Sequence, residues 1–193
     1  SGTVSITGGK FVNETEGVTT KGSEDPHGIL AVNSGATLNI TNASLETKAY
    51  QPLTVMGTCN SVGTTYKCTV ANNQYDSRVM ILVDGSGAHL NMPSGSVEMV
   101  ASTVASDGMY GIYAANGGNV TMGDAATGTG PSVHSQFAAL GNNHNTSPSV
   151  WNIYGGEYVS AAKATNNEGW KYFCGALYLP ATTDINIYGG TFK

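Results

Sequence analysis

Apolar and polar residues alternate along this chain in short bursts, with no helical spacing over any useful window. Val4-Ser5-Ile6, Leu38-Asn39-Ile40, Leu90-Asn91-Met92, Val120-Thr121-Met122, Trp151-Asn152-Ile153 and Ile185-Asn186-Ile187 each set one polar residue between two apolar ones. Such period-two alternation predicts half-buried strands. The steps between copies are 34, 52, 30, 31 and 34 residues, so the underlying period is about 30 to 34, a length expected of stacked structural repeats. A second phrase follows the first: Gly8-Gly9-Lys10-Phe11, Gly155-Gly156-Glu157-Tyr158 and Gly189-Gly190-Thr191-Phe192, with Asn42-Ala43-Ser44-Leu45 and Ser94-Gly95-Ser96-Val97 as variants. A third precedes it: Gly28-Ile29-Leu30, Val79-Met80-Ile81, Gly111-Ile112-Tyr113, Ala138-Ala139-Leu140 and Gly175-Ala176-Leu177.

Three short strands per repeat, joined at Asn33-Ser34-Gly35, Asp84-Gly85, Asn116-Gly117-Gly118 and Asn142-Asn143, describe a wound coil, since these residue types tolerate tight corners. The predicted fold is all-β: a parallel β-helix or β-solenoid of about six coils, forming one domain over residues 1–193. The long step of 52 residues predicts an insertion at about 50–76, a hairpin closed by a Cys59–Cys68 disulfide, whose eight intervening residues suit such a staple. Cys174 is then left over, either buried as a small hydrophobe or paired between chains.

The strings GILAVNSGATLNIT and GIYAANGGNVTM resemble coils of the right-handed parallel β-helix proteins, a pectate-lyase-like superfamily that includes autotransporter-type surface proteins. In general style the chain also resembles the amyloid-like β-solenoids of microbial surface fibres and sheaths, including those of methanogenic archaea. The resemblance implies a secreted or cell-surface location. It implies an architecture shared by adhesins, lyases, glycosidases and structural proteins, so function has to be argued from the surface.

Charge narrows the partners. Thirteen acidic against eight basic residues give a formal charge of -5, and the lysines and arginines stand singly, so no basic face is offered to nucleic acid. No apolar run approaches the ~18 residues of a spanning helix. No GxSxG, HExxH or phosphate-loop context occurs, and neither a cofactor nor a metal is expected.

Equivalent positions of stacked coils form columns, and any activity should lie in one of them. Asn39, Asn91, Thr121, Asn152 and Asn186 are expected to point outward as a polar ladder. Tyr154 and Tyr188 should form a small aromatic platform for sugars or proteins, unless the loop of Trp170 and Tyr172 covers it. Asp25 with His27, Asp76 with Arg78, and Asp107 are the catalytic candidates: clustered carboxylates divide acid and base roles in glycoside hydrolysis or bind Ca²⁺, although Asp also simply favours turns that enter strands. Glu46 and Glu98 align side by side. Asn13, Asn39, Asn42, Asn119 and Asn145 begin Asn-x-Ser/Thr triplets that permit glycosylation. Lys10 and Lys193 are candidates for an isopeptide bond.

The phrases VSITGGKF and INIYGGTFK show the same pattern at the two ends of the stack, with nothing that reads as a cap. The expected function is an extracellular structural protein that associates with itself head to tail into a filament, sheath or surface layer, because such a heterologous contact does not close. The alternatives are a cell-surface adhesin that binds glycans and, third, a polysaccharide lyase or glycosidase.

Overall fold

The computed structural model describes residues 1–14, 28–48, 51–69, 79–99, 110–135, 138–142, 147–161, 175–179 and 183–193. Within them every regular element is a strand. The chain opens with β1 (Thr3–Thr7) and β2 (Lys10–Asn13), followed by β3 (Leu30–Val32), β4 (Thr37–Thr41) and β5 (Ser44–Thr47). Next come β6 (Leu53–Val55), β7 (Thr58–Val62) and β8 (Thr64–Cys68), then β9 (Val79–Asp84), β10 (His89–Met92) and β11 (Gly95–Met99). The later coils hold β12 (Tyr110–Ala115), β13 (Asn119–Met122) and β14 (Ser132–Ser135), then β15 (Ala138–Asn142), β16 (Ser149–Ile153) and β17 (Glu157–Ser160). The last holds β18 (Leu177–Tyr178), β19 (Thr183–Ile187) and β20 (Thr191–Phe192).

Every third strand joins the same wall, giving three parallel sheets. The first runs β1-β4-β7-β10-β13-β16-β19, the second β2-β5-β8-β11-β14-β17-β20, and the third β3-β6-β9-β12-β15-β18. This is the predicted parallel β-solenoid, with seven rungs on two walls and six on the third. Parallel sheets usually need both faces covered. Winding supplies one cover, because the inner faces of the three walls enclose a common interior, and the outer faces keep the alternating pattern seen in β4 and β10. Leu38, Ile40, Leu45, Leu53, Val55, Leu90, Val97, Ile112, Val133, Trp151 and Tyr158 fill that interior. Each such side chain contributes about 1.5–3 kcal/mol by leaving water.

The register reproduces the first phrase position by position. Val4 lies beside Leu38, Leu90 beside Val120, Val120 beside Trp151 and Trp151 beside Ile185. The third phrase needs one adjustment, since Ile112, rather than Tyr113, continues the inner column between Ile81 and Leu140.

The hairpin insertion is not there. Residues 53–68 form a complete coil of their own: Cys59 pairs with Leu38 on one side and Leu90 on the other, and Tyr66 sits between Leu45 and Val97. The step of 52 residues is therefore two coils, 21 from Leu38 to Cys59 and 31 from Cys59 to Leu90. β7 and β8 pair with neighbouring coils instead of with each other, which puts Cys59 and Cys68 on different walls. The two are not joined to each other. Cys59 is fully buried, and burial pushes its thiol up to about 12, so it stays protonated and inert at neutral pH. Cys68 is also buried, with its thiol donating to the Lys48 carbonyl at 3.3 Å.

This coil escaped the pattern because its inner residues on the first two walls are not aliphatic. Ser61 stands where the coil before it has Ile40, and Tyr66 stands where the neighbours have Leu45 and Val97. The larger ring fills the space the serine leaves, and the Tyr66 and Ser61 hydroxyls lie 2.9 Å apart, both fully buried. Tyr66→Phe should cost about 1–2 kcal/mol, because it leaves the Ser61 hydroxyl buried without its partner. A chemical-denaturation midpoint unchanged from wild type would contradict that pairing.

Candidate functional site

The outer face of the first sheet carries three columns with almost no charge. The middle one is Ser5, Asn39, Asn60, Asn91, Thr121, Asn152 and Asn186. It is the expected polar ladder, lengthened by Ser5 and Asn60. Asn60 Nδ2 donates to Asn39 Oδ1 at 2.9 Å, and Asn186 Nδ2 donates to Asn152 Oδ1 at 3.1 Å. These amides spend hydrogen-bonding capacity on one another along the stack, which ties adjacent coils together. At the corner between walls, Asn116 Nδ2 donates to Asp84 Oδ1 at 2.6 Å, a second point where stacked corners bond.

The glycosylation candidates fall on the same framework. Asn39 is held by Asn60; Asn42 has a φ of 52° at the corner between β4 and β5; Asn119 Nδ2 donates to the Gly117 carbonyl at 3.3 Å. Asn13 closes β2. Asn145 lies outside the described residues.

Tyr154 and Tyr188 do meet. Their ring centres are 4.9 Å apart and their planes 9° from parallel. Two rings lying in one plane could not come so close, so they stack along the solenoid axis and turn their edges outward. The pair is therefore a short column, not a flat platform. One face of Tyr154 is covered by Tyr188, and Tyr188, 66% exposed, keeps its open face towards the end of the stack.

A second aromatic group was not recognised in the sequence. Tyr113, Gly141 and Tyr178 follow one another up the third sheet, and the Tyr110 ring lies over Gly141, where a Cβ would come within 2.3 Å of it. Tyr110 is 4.6 Å from Tyr113 and 6.0 Å from Tyr178, centre to centre. Burial raises the Tyr113 phenol above its ordinary range. The readable signal was a glycine between two tyrosines in that column.

The second sheet carries the charge. Its outer columns are Val12, Glu46, Lys67, Glu98 and His134, and beside it Lys10, Ser44, Thr65, Ser96, Ser132, Glu157 and Thr191. Glu46 and Glu98 are not neighbours, because the unrecognised coil places Lys67 between them, and a repulsive pair becomes an alternating ladder. Lys10 Nζ lies 2.9 Å from Glu46 Oε2, Lys67 Nζ 3.8 Å from Glu98 Oε2, and Lys193 Nζ 2.5 Å from Glu157 Oε1. Lys10 holds the Glu46 carboxyl below its usual range, and Lys193 does the same for Glu157. Such exposed pairs add little stability; their value is in specifying register. Both lysines proposed for covalent cross-linking are thus engaged in ion pairs.

Asp25, His27, Asp76, Arg78, Asp107, Trp170, Tyr172 and Cys174 lie outside the described residues. Among the described residues no group of three His, Cys, Asp or Glu side chains is placed to hold a metal ion.

Among the described residues the first and last rungs pair on one side only: β1 and β2 have one neighbour each, as do β19 and β20. Val4 is 58% and Ile187 47% exposed, while Leu38 and Ile153, the same positions one rung inward, are buried. Phe192 stacks on Tyr158 at 5.0 Å, and among the described residues no further strand lies beyond it. No family model, no curated protein and no solved structure matches this chain.

Proposed function

We propose that this chain is an extracellular structural protein whose solenoids join head to tail, the first rung of one copy continuing the sheets of the last rung of another. One observation carries the reading: the first and last described rungs correspond position by position. With the register used throughout the stack, Val4 would meet Ile185, Ser5 would meet Asn186, Ile6 would meet Ile187 and Phe11 would meet Phe192. Each of these contacts already occurs inside the chain in equivalent form, as in Trp151 with Ile185, Asn152 with Asn186 and Tyr158 with Phe192. The junction would extend the asparagine ladder and the Tyr158–Phe192 stack, and it would satisfy the backbone groups of two exposed sheet edges.

A contact of this kind is heterologous, so it yields filaments, hoops or sheets. In that respect the chain resembles the β-solenoids of microbial fibres and sheaths. The test is negative-stain electron microscopy of the purified chain beside its size-exclusion profile. Regular assemblies with a repeat along the solenoid axis are the expected result, and single particles at every concentration would overturn the reading.

A glycan-binding adhesin is the second reading, favoured by the open ring face of Tyr188 and by the Tyr110, Tyr113 and Tyr178 group. Stacking would cover Tyr188 with Thr7 of the next copy, so sugar binding at that ring and assembly exclude each other.

A further inference from the structure

The outer face of the second sheet is complementary in charge to itself. Read from the first rung to the sixth, one column runs Val12, Glu46, Lys67, Glu98, His134, Val159, and the column beside it runs Lys10, Ser44, Thr65, Ser96, Ser132, Glu157. Reversing either column sets each charged residue against an oppositely charged or hydrogen-bonding one. We propose that this face is an interface between two copies of the chain, laid face to face with antiparallel solenoid axes. The two-fold axis runs along the strands, between the third and fourth rungs. The inference does not rest on head-to-tail stacking, and its central contacts lie on interior rungs.

Such an axis keeps each column opposite itself and reverses the order of its rungs. Lys67 then meets the partner's Glu98, Glu46 the partner's His134, Lys10 the partner's Glu157 and Val12 the partner's Val159. Each contact occurs twice, as an isologous interface requires, and the remaining positions set Ser or Thr against Ser or Thr. Faces packed about 10 Å apart leave room for a lysine and a glutamate to meet end to end. At the axis two Lys67 and two Glu98 side chains would alternate in a square. Within one chain their ion pair is loose, 3.8 Å against 2.9 Å for Lys10 and Glu46, so both groups have capacity to spare. Ser132 Oγ lies 3.0 Å from His134 Nε2, which leaves Nδ1 to donate to the partner's Glu46.

The complementarity selects one register. Sliding one copy by one rung sets Lys67 against Lys67 and Glu46 against Glu98 in one direction, and Glu98 against Glu98 in the other, and such like-charge contacts disfavour both arrangements. Turning the two-fold axis to run along the solenoid puts the two columns opposite each other, where Glu46, Lys67 and Glu98 face only Ser or Thr. Six rungs at about 4.8 Å by four residues at about 3.3 Å give roughly 400 Å² per copy, an area typical of weak, reversible contacts.

The test is sedimentation equilibrium of the full chain carrying Ile187→Asp, which removes the end contact proposed above and leaves this face untouched. At up to about 1 mM protein in low salt it should form a dimer and nothing larger, and a weaker dimer at about 0.15 M salt. Lys67→Glu or Glu98→Lys, each added singly, places like charges across the axis and should weaken the dimer about tenfold or more, with an unchanged circular dichroism spectrum. Equal amounts of the two single variants should recover it, because the carboxylates of one chain then face the ammonium groups of the other at both positions. The double variant K67E/E98K should dimerise by itself for the same reason. Single variants that dimerise as tightly as their parent, a mixture and a double variant that both stay monomeric, or a parent that never dimerises would each overturn this interface and leave head-to-tail stacking intact.

Discussion

Ile187→Asp is expected to abolish end-to-end assembly while leaving the coil folded. In the single chain Ile187 is 47% exposed, so a carboxylate there keeps its water and costs the subunit little. At a junction the same position turns into the shared interior opposite Ile6 of the next copy. An unpaired charge buried there costs several kcal/mol, which raises the critical concentration on the order of a hundredfold or more. The variant should therefore run as a single species in size exclusion with a far-ultraviolet circular dichroism spectrum like that of wild type. Filaments that persist at the wild-type concentration would place the contact elsewhere than β19. Ile6→Asp, made on the opposite face, should give the same loss, and mixing the two variants should yield only a heterodimer, because Ile187 of the Ile6→Asp chain can meet Ile6 of the Ile187→Asp chain while every junction that would extend this pair buries at least one carboxylate.

Gly155→Ala should produce the largest loss of stability of any single-methyl addition in the stack. The segment Gly123 to Gly130 winds into a tight turn between β13 and β14. Ala126 N donates to Asp124 Oδ1 at 2.8 Å, Gly128 N to the Asp124 carbonyl at 2.8 Å and Asp124 N to the Thr129 carbonyl at 2.8 Å. This turn rests directly on Gly155 in the next coil, where an added Cβ would come 2.0 Å from the Gly128 carbonyl oxygen. Backbone meets backbone, so no flexible side chain can yield. A cost of about 3 kcal/mol, equivalent to about 10 °C in melting temperature for a chain of this size, is expected. Gly87→Ala is the control, since nothing lies within 4 Å of its added methyl; it should stay within about 0.5 kcal/mol of wild type. Equal melting temperatures for the two variants would mean that the turn does not sit on Gly155.

The coils that were legible in the sequence are those whose inner positions are aliphatic or aromatic at fixed spacing. Leu38, Leu90, Val120, Trp151 and Ile185 announce the first wall because each must leave water and each neighbours its counterpart in the stack. The coil of Cys59, Ser61 and Tyr66 was hidden for the opposite reason: its volume is divided between a small residue and a large one on different walls, and a residue-by-residue pattern does not register a sum. One missed coil then carried two further errors with it, a disulfide between residues that face different neighbours and a carboxylate pair that a lysine in fact separates.

Sequence alone determined the winding, the usual period, the stacking of the first phrase and most of the outward asparagine column, because these follow from alternation and repeat length, which are properties of a line of residues. Tertiary structure decided what depends on the distance between columns. It turned the Tyr154–Tyr188 pair edge-on, gathered Tyr110, Tyr113 and Tyr178 over Gly141, and set Gly155 beneath a turn wound some thirty residues earlier in the chain. Ring planes and backbone clearances are fixed by packing across coils, and composition along a single coil contains no term for them.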